Sequence, residues 1–156
     1  MKKIIELGDK YDISSNIYLE DWSNGMKNSV DYVFEFIQML SKTNVRRIML
    51  PDTLGILNPQ MTFSYISDLC AEFPNLHFDF HGHNDYDLSV ANTLEAIKAG
   101  CNGIHSTING MGERAGNTPL ASIIAANNDF LKNYKININE KSLYNVSKLV
   151  STIQWF

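Results

Sequence analysis

Four short runs of apolar and β-branched residues recur along the chain, centred near Ile17, Ile48, Phe78 and Ile104, at intervals of 31, 30 and 26 residues. Segments with helical spacing lie between them. That interval is the length of a βα unit whose strands run parallel and whose helices cover the outside of the sheet, so the chain reads as an α/β fold. Strands are expected at Ile13–Glu20, Arg46–Leu50 (stopped by Pro51), Leu76–Phe80 and Gly103–His105. Asp21–Gly25 reads as a loop, and helices are expected at 31–40, 59–73, 88–99, 119–131 and 139–153. Pro59 suits a first helical turn, where its missing N–H is not needed, and Gly100 suits a C-cap. Met1–Lys10 reads as the end of one further helix. Four such units make half of an eight-unit barrel, which takes about 250 residues. An open doubly wound sheet, by contrast, can be completed in 156.

Charge and cysteine content narrow the partners. With 13 Lys and Arg against 17 Asp and Glu the formal charge is −4, and no basic run exceeds Lys2-Lys3 or Arg46-Arg47. That excludes an evident nucleic-acid surface. No apolar run approaches the roughly 20 residues of a membrane span. Met1-Lys2-Lys3 imitates a signal-peptide start, but Glu6 and Asp9 break the apolar stretch after only two isoleucines. Cys70 and Cys101 are far apart and give neither a disulfide framework nor a zinc knuckle. A cytoplasmic, reduced setting is expected.

The chemistry gathers at the C-terminal ends of the strands. Phe80-His81-Gly82-His83-Asn84-Asp85 places two histidines two apart, hence on one side of a strand end, where neutral imidazoles suit a divalent transition metal. After the fourth strand, Gly110, Gly112 and Gly116 permit positive φ and close backbone approach, as anion-cradling loops need, and Glu113 and Arg114 add charge. Leu50-Pro51-Asp52-Thr53-Leu54-Gly55 closes the second strand; Asp52 and Thr53 read equally as ligands for a substrate carboxylate or as caps of a helix-entry turn. Glu20-Asp21 closes the first. His77 and His105 sit inside strands and read as structural. In a parallel barrel this is the end that carries catalysis.

These three motifs, His81-Gly82-His83-Asn84-Asp85, Leu50–Gly55 and Gly110–Asn117, closely resemble the 2-isopropylmalate synthase and homocitrate synthase family. That family groups with citramalate synthase and 3-hydroxy-3-methylglutaryl-CoA lyase among metal-dependent barrel enzymes. Asp87 departs from the pattern, which has glycine there. The resemblance implies that residues 1–156 are one partial TIM (β/α)8 barrel domain, its strands matching the fifth to eighth, plus a terminal helix. It implies further that the first half of the barrel, with an Arg-Asp pair whose aspartate is a metal ligand, and the C-terminal regulatory region are absent from this sequence.

The implied activity is an acyltransferase's Claisen condensation of acetyl-CoA, as co-substrate, with a 2-oxo acid. The implied type is 2-isopropylmalate synthase, in leucine and so amino-acid biosynthesis, using Mn, Zn or Mg. Homocitrate or citramalate synthase, a metal-dependent lyase or aldolase, and a non-catalytic half-barrel are the alternatives. Carried over residue by residue, His81, His83 and Asn117 match the metal site. Thr53 matches the group that holds the substrate carboxylate, and Glu20 a strand-end glutamate for orientation or acid–base work. Gly110, Gly112, Glu113, Arg114 and Gly116 lie where metal, substrate and thioester meet. A homo-oligomer or a complementary half-barrel is the expected partner.

Overall fold

The computed structural model describes residues 1–131, 134 and 138–153. In chain order the elements are α1 (Lys2–Lys10), β1 (Ser15–Tyr18), α2 (Trp22–Asn28), α3 (Val30–Leu40), β2 (Val45–Asp52), α4 (Pro59–Glu72), β3 (Phe78–Gly82), α5 (Ser89–Lys98), β4 (Gly103–His105), α6 (Leu120–Phe130) and α7 (Glu140–Ile153), with a 3₁₀ turn at Ile108–Gly110. The strands form one sheet in the order β1-β2-β3-β4, and each neighbouring pair is parallel. Ile17 lies opposite Ile48, Ile48 opposite Phe78, and Phe80 opposite Ile104. The expected α/β partial barrel is the fold observed.

Strand alternation sorts the two faces. Ile48, Leu50, Phe78 and Phe80 point outward and are fully buried against Ile37 and Leu40 of α3, Ile66 and Leu69 of α4, and Ala96 of α5. The other parity points inward: Tyr18, Met49, Thr53, Asp79, His81 and His105. This inner face is concave. Tyr18 Oη lies 3.4 Å from His105 Nδ1, although β1 and β4 are three strand spacings apart. In a flat sheet their backbones would stand about 14 Å apart and their side chains parallel. Only a sheet curled as a barrel wall brings them together.

A charged cluster fills the floor of the concave face. The Asp79 carboxylate, 2% exposed, takes Arg47 Nη1 at 3.2 Å, His77 Nε2 at 2.8 Å and His105 Nε2 at 3.7 Å. A carboxylate this buried is tolerated because it is paired. Gly103 makes room for it, since a Cβ there would overlap Asp79 Oδ1.

Two expectations differ from the structure. Asp21–Gly25 opens α2 instead of forming a loop, because Trp22, Ser23 and Met26 are buried. Gly25 reads as a breaker but serves packing: a Cβ there would stand 2.9 Å from Val33 Cγ2. Likewise β2 runs through Pro51 to Asp52. Because β1 ends opposite Met49, the missing N–H of Pro51 falls where β2 has a partner strand on one side only. Among the described residues the outer edges of β1 and β4 have no partner strand. Beside β1, α1 exposes Ile4 and Leu7, with Tyr11 just past its end, and α7, packed on the 3₁₀ turn after β4, exposes Val146, Leu149 and Ile153.

Phe80→Ala should cost about 3–5 kcal/mol, because the fully buried ring has helices against it and cannot be replaced by collapse. Urea unfolding of the variant beside the wild type measures it.

Candidate metal and substrate site

The site is assembled by the chain returning on itself. After β4 the glycine-rich loop doubles back to the end of β3, where His83 and Asn117 form an antiparallel bridge. Asn84 N–H donates to Gly116 O at 2.9 Å, and Thr118 N–H to Gly82 O at 3.2 Å. The loop's shape depends on its glycines. Gly116 has φ of 94°, and a Cβ on it would overlap Gly110 O; one on Gly112 would overlap Asn117 Oδ1. Asn117 N–H donates to Gly110 O at 3.0 Å. The loop therefore builds a seat for Asn117, with Gly112 and Glu113 facing the cleft and Gly110 and Gly116 closing its turn.

His81 and His83 present Nε2 to Nε2 at 3.3 Å. Two N–H groups cannot face each other there, so at least one nitrogen offers its lone pair. An ion with metal–nitrogen bonds of about 2.1 Å holds two imidazole nitrogens about 3.0–3.4 Å apart, so the pair is spaced as a chelate. The Asn117 amide nitrogen lies 3.2 Å from His81 Nε2 and 3.4 Å from His83 Nδ1, and a half-turn of the amide presents its oxygen instead. Burial, then the neighbouring His83 and His105, pushes the His81 imidazole down to about 4, against a smaller upward pull from Glu113. It is neutral near pH 7, as a ligand must be. The donor set fits a divalent metal in its imidazole and amide part. Among the described residues no third His, Cys, Asp or Glu joins the pair.

Opposite the histidines, Thr53 and Glu20 complete a cleft of about 320 Å³. Thr53 Oγ1 accepts from Asp21 N–H at 2.9 Å and donates to Glu20 Oε2 at 3.3 Å. Asp52, one residue earlier, is fully buried and turned away, accepting from Ile56 N–H at 3.0 Å and Leu57 N–H at 3.1 Å. Of the two readings of that motif, Asp52 takes the cap and Thr53 the cleft. Arg114 is not among the residues lining the cleft: its guanidinium is held by Asp85 and by Thr53 O. Asp87 keeps the turn that glycine would make, adopting φ of 56° with its N–H on Asn84 O.

Tyr18, which sequence reasoning passed over, lines the cleft. The signal was available, since Tyr18 stands two residues before Glu20 and shares its face. His105, read as structural, is also closer to the site than expected, its ring edge-on to His81 with centroids 5.5 Å apart.

A family model described as HMGL-like matches residues 1–150. A homocitrate synthase from Saccharolobus islandicus is 48% identical over 97 residues, covering 60% of this chain and 21% of that protein. Another from Sulfurisphaera tokodaii is 43% identical over 103 residues, covering 66% and 22%. The matched part of the chain thus spans about a fifth of the length of these relatives. Among solved structures, an HMG-CoA lyase from Bacillus subtilis superposes with a TM-score of 0.81 at 19% identity, over 97% of this chain and 53% of the other. The carboxyl transferase domain of Rhizobium etli pyruvate carboxylase with oxalate also gives 0.81, at 18% identity over 99% and 26%. At those identities the likeness establishes the fold.

The depressed His81 value sets a pH dependence. The folded imidazole protonates near 4 and the unfolded one near its ordinary 6.5, so the unfolded state takes up the proton first. Without metal, stability falls as pH drops from 6.5 towards 4 and is unaffected by this group above that window. Thermal unfolding across the window, compared with His81→Gln, measures the contribution. An identical pH slope in the variant contradicts it.

Proposed function

The chain belongs to the HMGL-like family, and from that membership we infer that it forms the metal-binding and substrate-orienting wall of a Claisen-type acyltransferase. The observation that carries the reading is the convergence of His81, His83 and Asn117 on one point, facing Thr53 and Glu20 across a single cleft. The proposed reaction joins acetyl-CoA to a 2-oxo acid. The motifs favour the 2-isopropylmalate synthase type within it, and the names of the relatives described above favour the homocitrate synthase type.

His81 and His83 would hold the ion through Nε2, with the Asn117 amide beside them. A divalent metal bound there supplies Lewis acidity towards a carbonyl and its developing alkoxide. The protein's own groups then divide the remaining work. Thr53 Oγ1, placed by the Asp21 amide, donates to a substrate carboxylate in the position it now offers Glu20. The released Glu20 carboxylate is then available to orient the substrate or accept a proton. Gly112 and Glu113 sit at the mouth of the cleft, where a thioester would approach.

The same reading extends to the open sheet edges. Pairing β1 and β4 with further parallel strands would close the barrel and cover the apolar residues of α1 and α7. A second copy of this wall fits poorly. The helix entering β1 and the helix leaving β4 both cover the outside of an edge strand, so two copies would crowd α1 and α6 into one groove. A complement of four strands and three helices would fit.

Thiol release from acetyl-CoA with a panel of 2-oxo acids, run on the chain together with that complement, tests the chemistry. Condensation is expected. Thr53→Ala should raise KM for the 2-oxo acid about 10–100-fold, the worth of one hydrogen bond to a charged group. Divalent-metal binding should disappear in the His81→Ala, His83→Ala double variant. Retro-aldol cleavage without condensation would instead make the protein a lyase. For the edges, size-exclusion chromatography of the 156 residues alone should show association rising with concentration. A concentration-independent species of 17.7 kDa would overturn the open-edge reading.

A further inference from the structure

The strand-end loops after β2, β3 and β4 meet at one side chain that belongs to none of the metal or substrate contacts. Arg114 Nε donates to Asp85 Oδ1 at 2.7 Å, one terminal nitrogen donates to Asp85 Oδ2 at 2.7 Å, and that nitrogen also donates to the Thr53 carbonyl at 2.8 Å. Three acceptors on two loops thus hold one guanidinium by hydrogen bonds, and Glu113 Oε2 lies 3.6 Å from its other terminal nitrogen. Two features show that the backbone is shaped around this contact. Arg114 has φ of 57°, a conformation that non-glycine residues seldom adopt. Gly55, also at positive φ, lies against Asp85 so closely that a Cβ would stand 2.6 Å from its Oδ2 and 3.0 Å from its backbone nitrogen.

We propose that Arg114 is a positioning residue whose guanidinium, forked onto Asp85 and tied to the Thr53 carbonyl, holds the 109–117 loop down on the cleft and so sets where Asn117 and Thr53 stand. Both charged partners are partly exposed, the side chains 38% and 24%. A single-point ion pair there would add little to stability. The fork adds geometry, because a planar guanidinium fixes direction at two oxygens at once while a lysine ammonium does not. The consequence falls on two site residues. Thr53 is fixed through its own carbonyl, in the same residue whose hydroxyl faces Glu20. Asn117 is fixed through the loop that begins at Gly110 and passes through Arg114.

Hydrogen–deuterium exchange tests the latch without reference to the proposed function, and only a metal titration rests on that reading. Exchange is read on the 156-residue chain for wild type, R114Q, R114K and G55A. The amide of Asn84, which ties the loop to the end of β3, and those of Gly116 and Asn117, which close the loop on Glu113 O and Gly110 O, should exchange at least about tenfold faster in R114Q, with β2 and β3 amides unchanged. R114K keeps the charge without the fork and should behave as R114Q does. G55A, on a different loop, should open the same amides by displacing Asp85, and the R114Q/G55A double variant should exchange no faster than the faster single variant. Unchanged exchange in R114K and G55A, rates that multiply in the double variant, or acceleration spread through the sheet would each overturn the proposal.

Calorimetric titration with Mn²⁺ or Zn²⁺ gives the second readout, where R114K should weaken binding about tenfold at unchanged melting temperature. Equal metal affinity in R114K and wild type would remove Asn117 from the latch's reach. No binding in wild type would refute the metal site and leave the exchange result to decide the latch.

Discussion

The parity of one strand governs this structure. Along β3, Phe78, Phe80 and Gly82 face the helices while Asp79 and His81 face the hollow of the barrel wall, and His83 comes after them in the turn beyond. A one-residue slip against β2 would push the carboxylate and the imidazoles into the apolar layer and the two phenylalanine rings into the cleft. Neither exchange is tolerable: a buried charge without partners costs several kcal/mol, and each buried ring contributes about 2–3. Core packing therefore enforces the register, and the register aims the chemistry. The site inherits its alignment from the hydrophobic core.

Curvature does the rest. Because the sheet is curled, side chains from strands that never touch by backbone meet in its hollow, as Tyr18 and His105 do. The same curl stacks the polar residues in depth. Asp79 lies at the floor with Arg47, His77 and His105, the histidine pair above them, and Thr53 and Glu20 at the rim. The floor has a plain structural function, keeping one buried carboxylate satisfied, and it requires a glycine at position 103. The rim is where water and ligands arrive.

Loops close the arrangement, and here single residues matter more than patterns. Gly25 reads in the sequence as a break between elements yet sits inside α2, because a close helix contact needs a residue without a side chain just as a turn does. Asp87 occupies a position suited to glycine and takes the left-handed conformation anyway, its N–H bonded to Asn84 O. Arg114 reads as charge offered to a ligand, whereas its Nε and one terminal nitrogen are engaged within the protein by Asp85 and Thr53. A sequence shows that a charge is present; only the packed loops show whether it is free.

The amino-acid sequence by itself determined the βα rhythm, the parallel sheet, the strand ends as the chemical end, and the histidine pair with Asn117 as the metal candidates. All but Asn117, which the family resemblance supplies, come from local rules, period two in strands and 3.6 in helices, that act between residues near in the chain. Tertiary structure alone decided that Thr53 and not Asp52 faces the cleft, that Tyr18 lines it, that His105 stands against His81, and that Arg114 is already engaged. Each of those depends on the curl of the sheet or the fold-back of a loop, which join residues up to 87 positions apart. No periodicity in the chain encodes contacts at that separation.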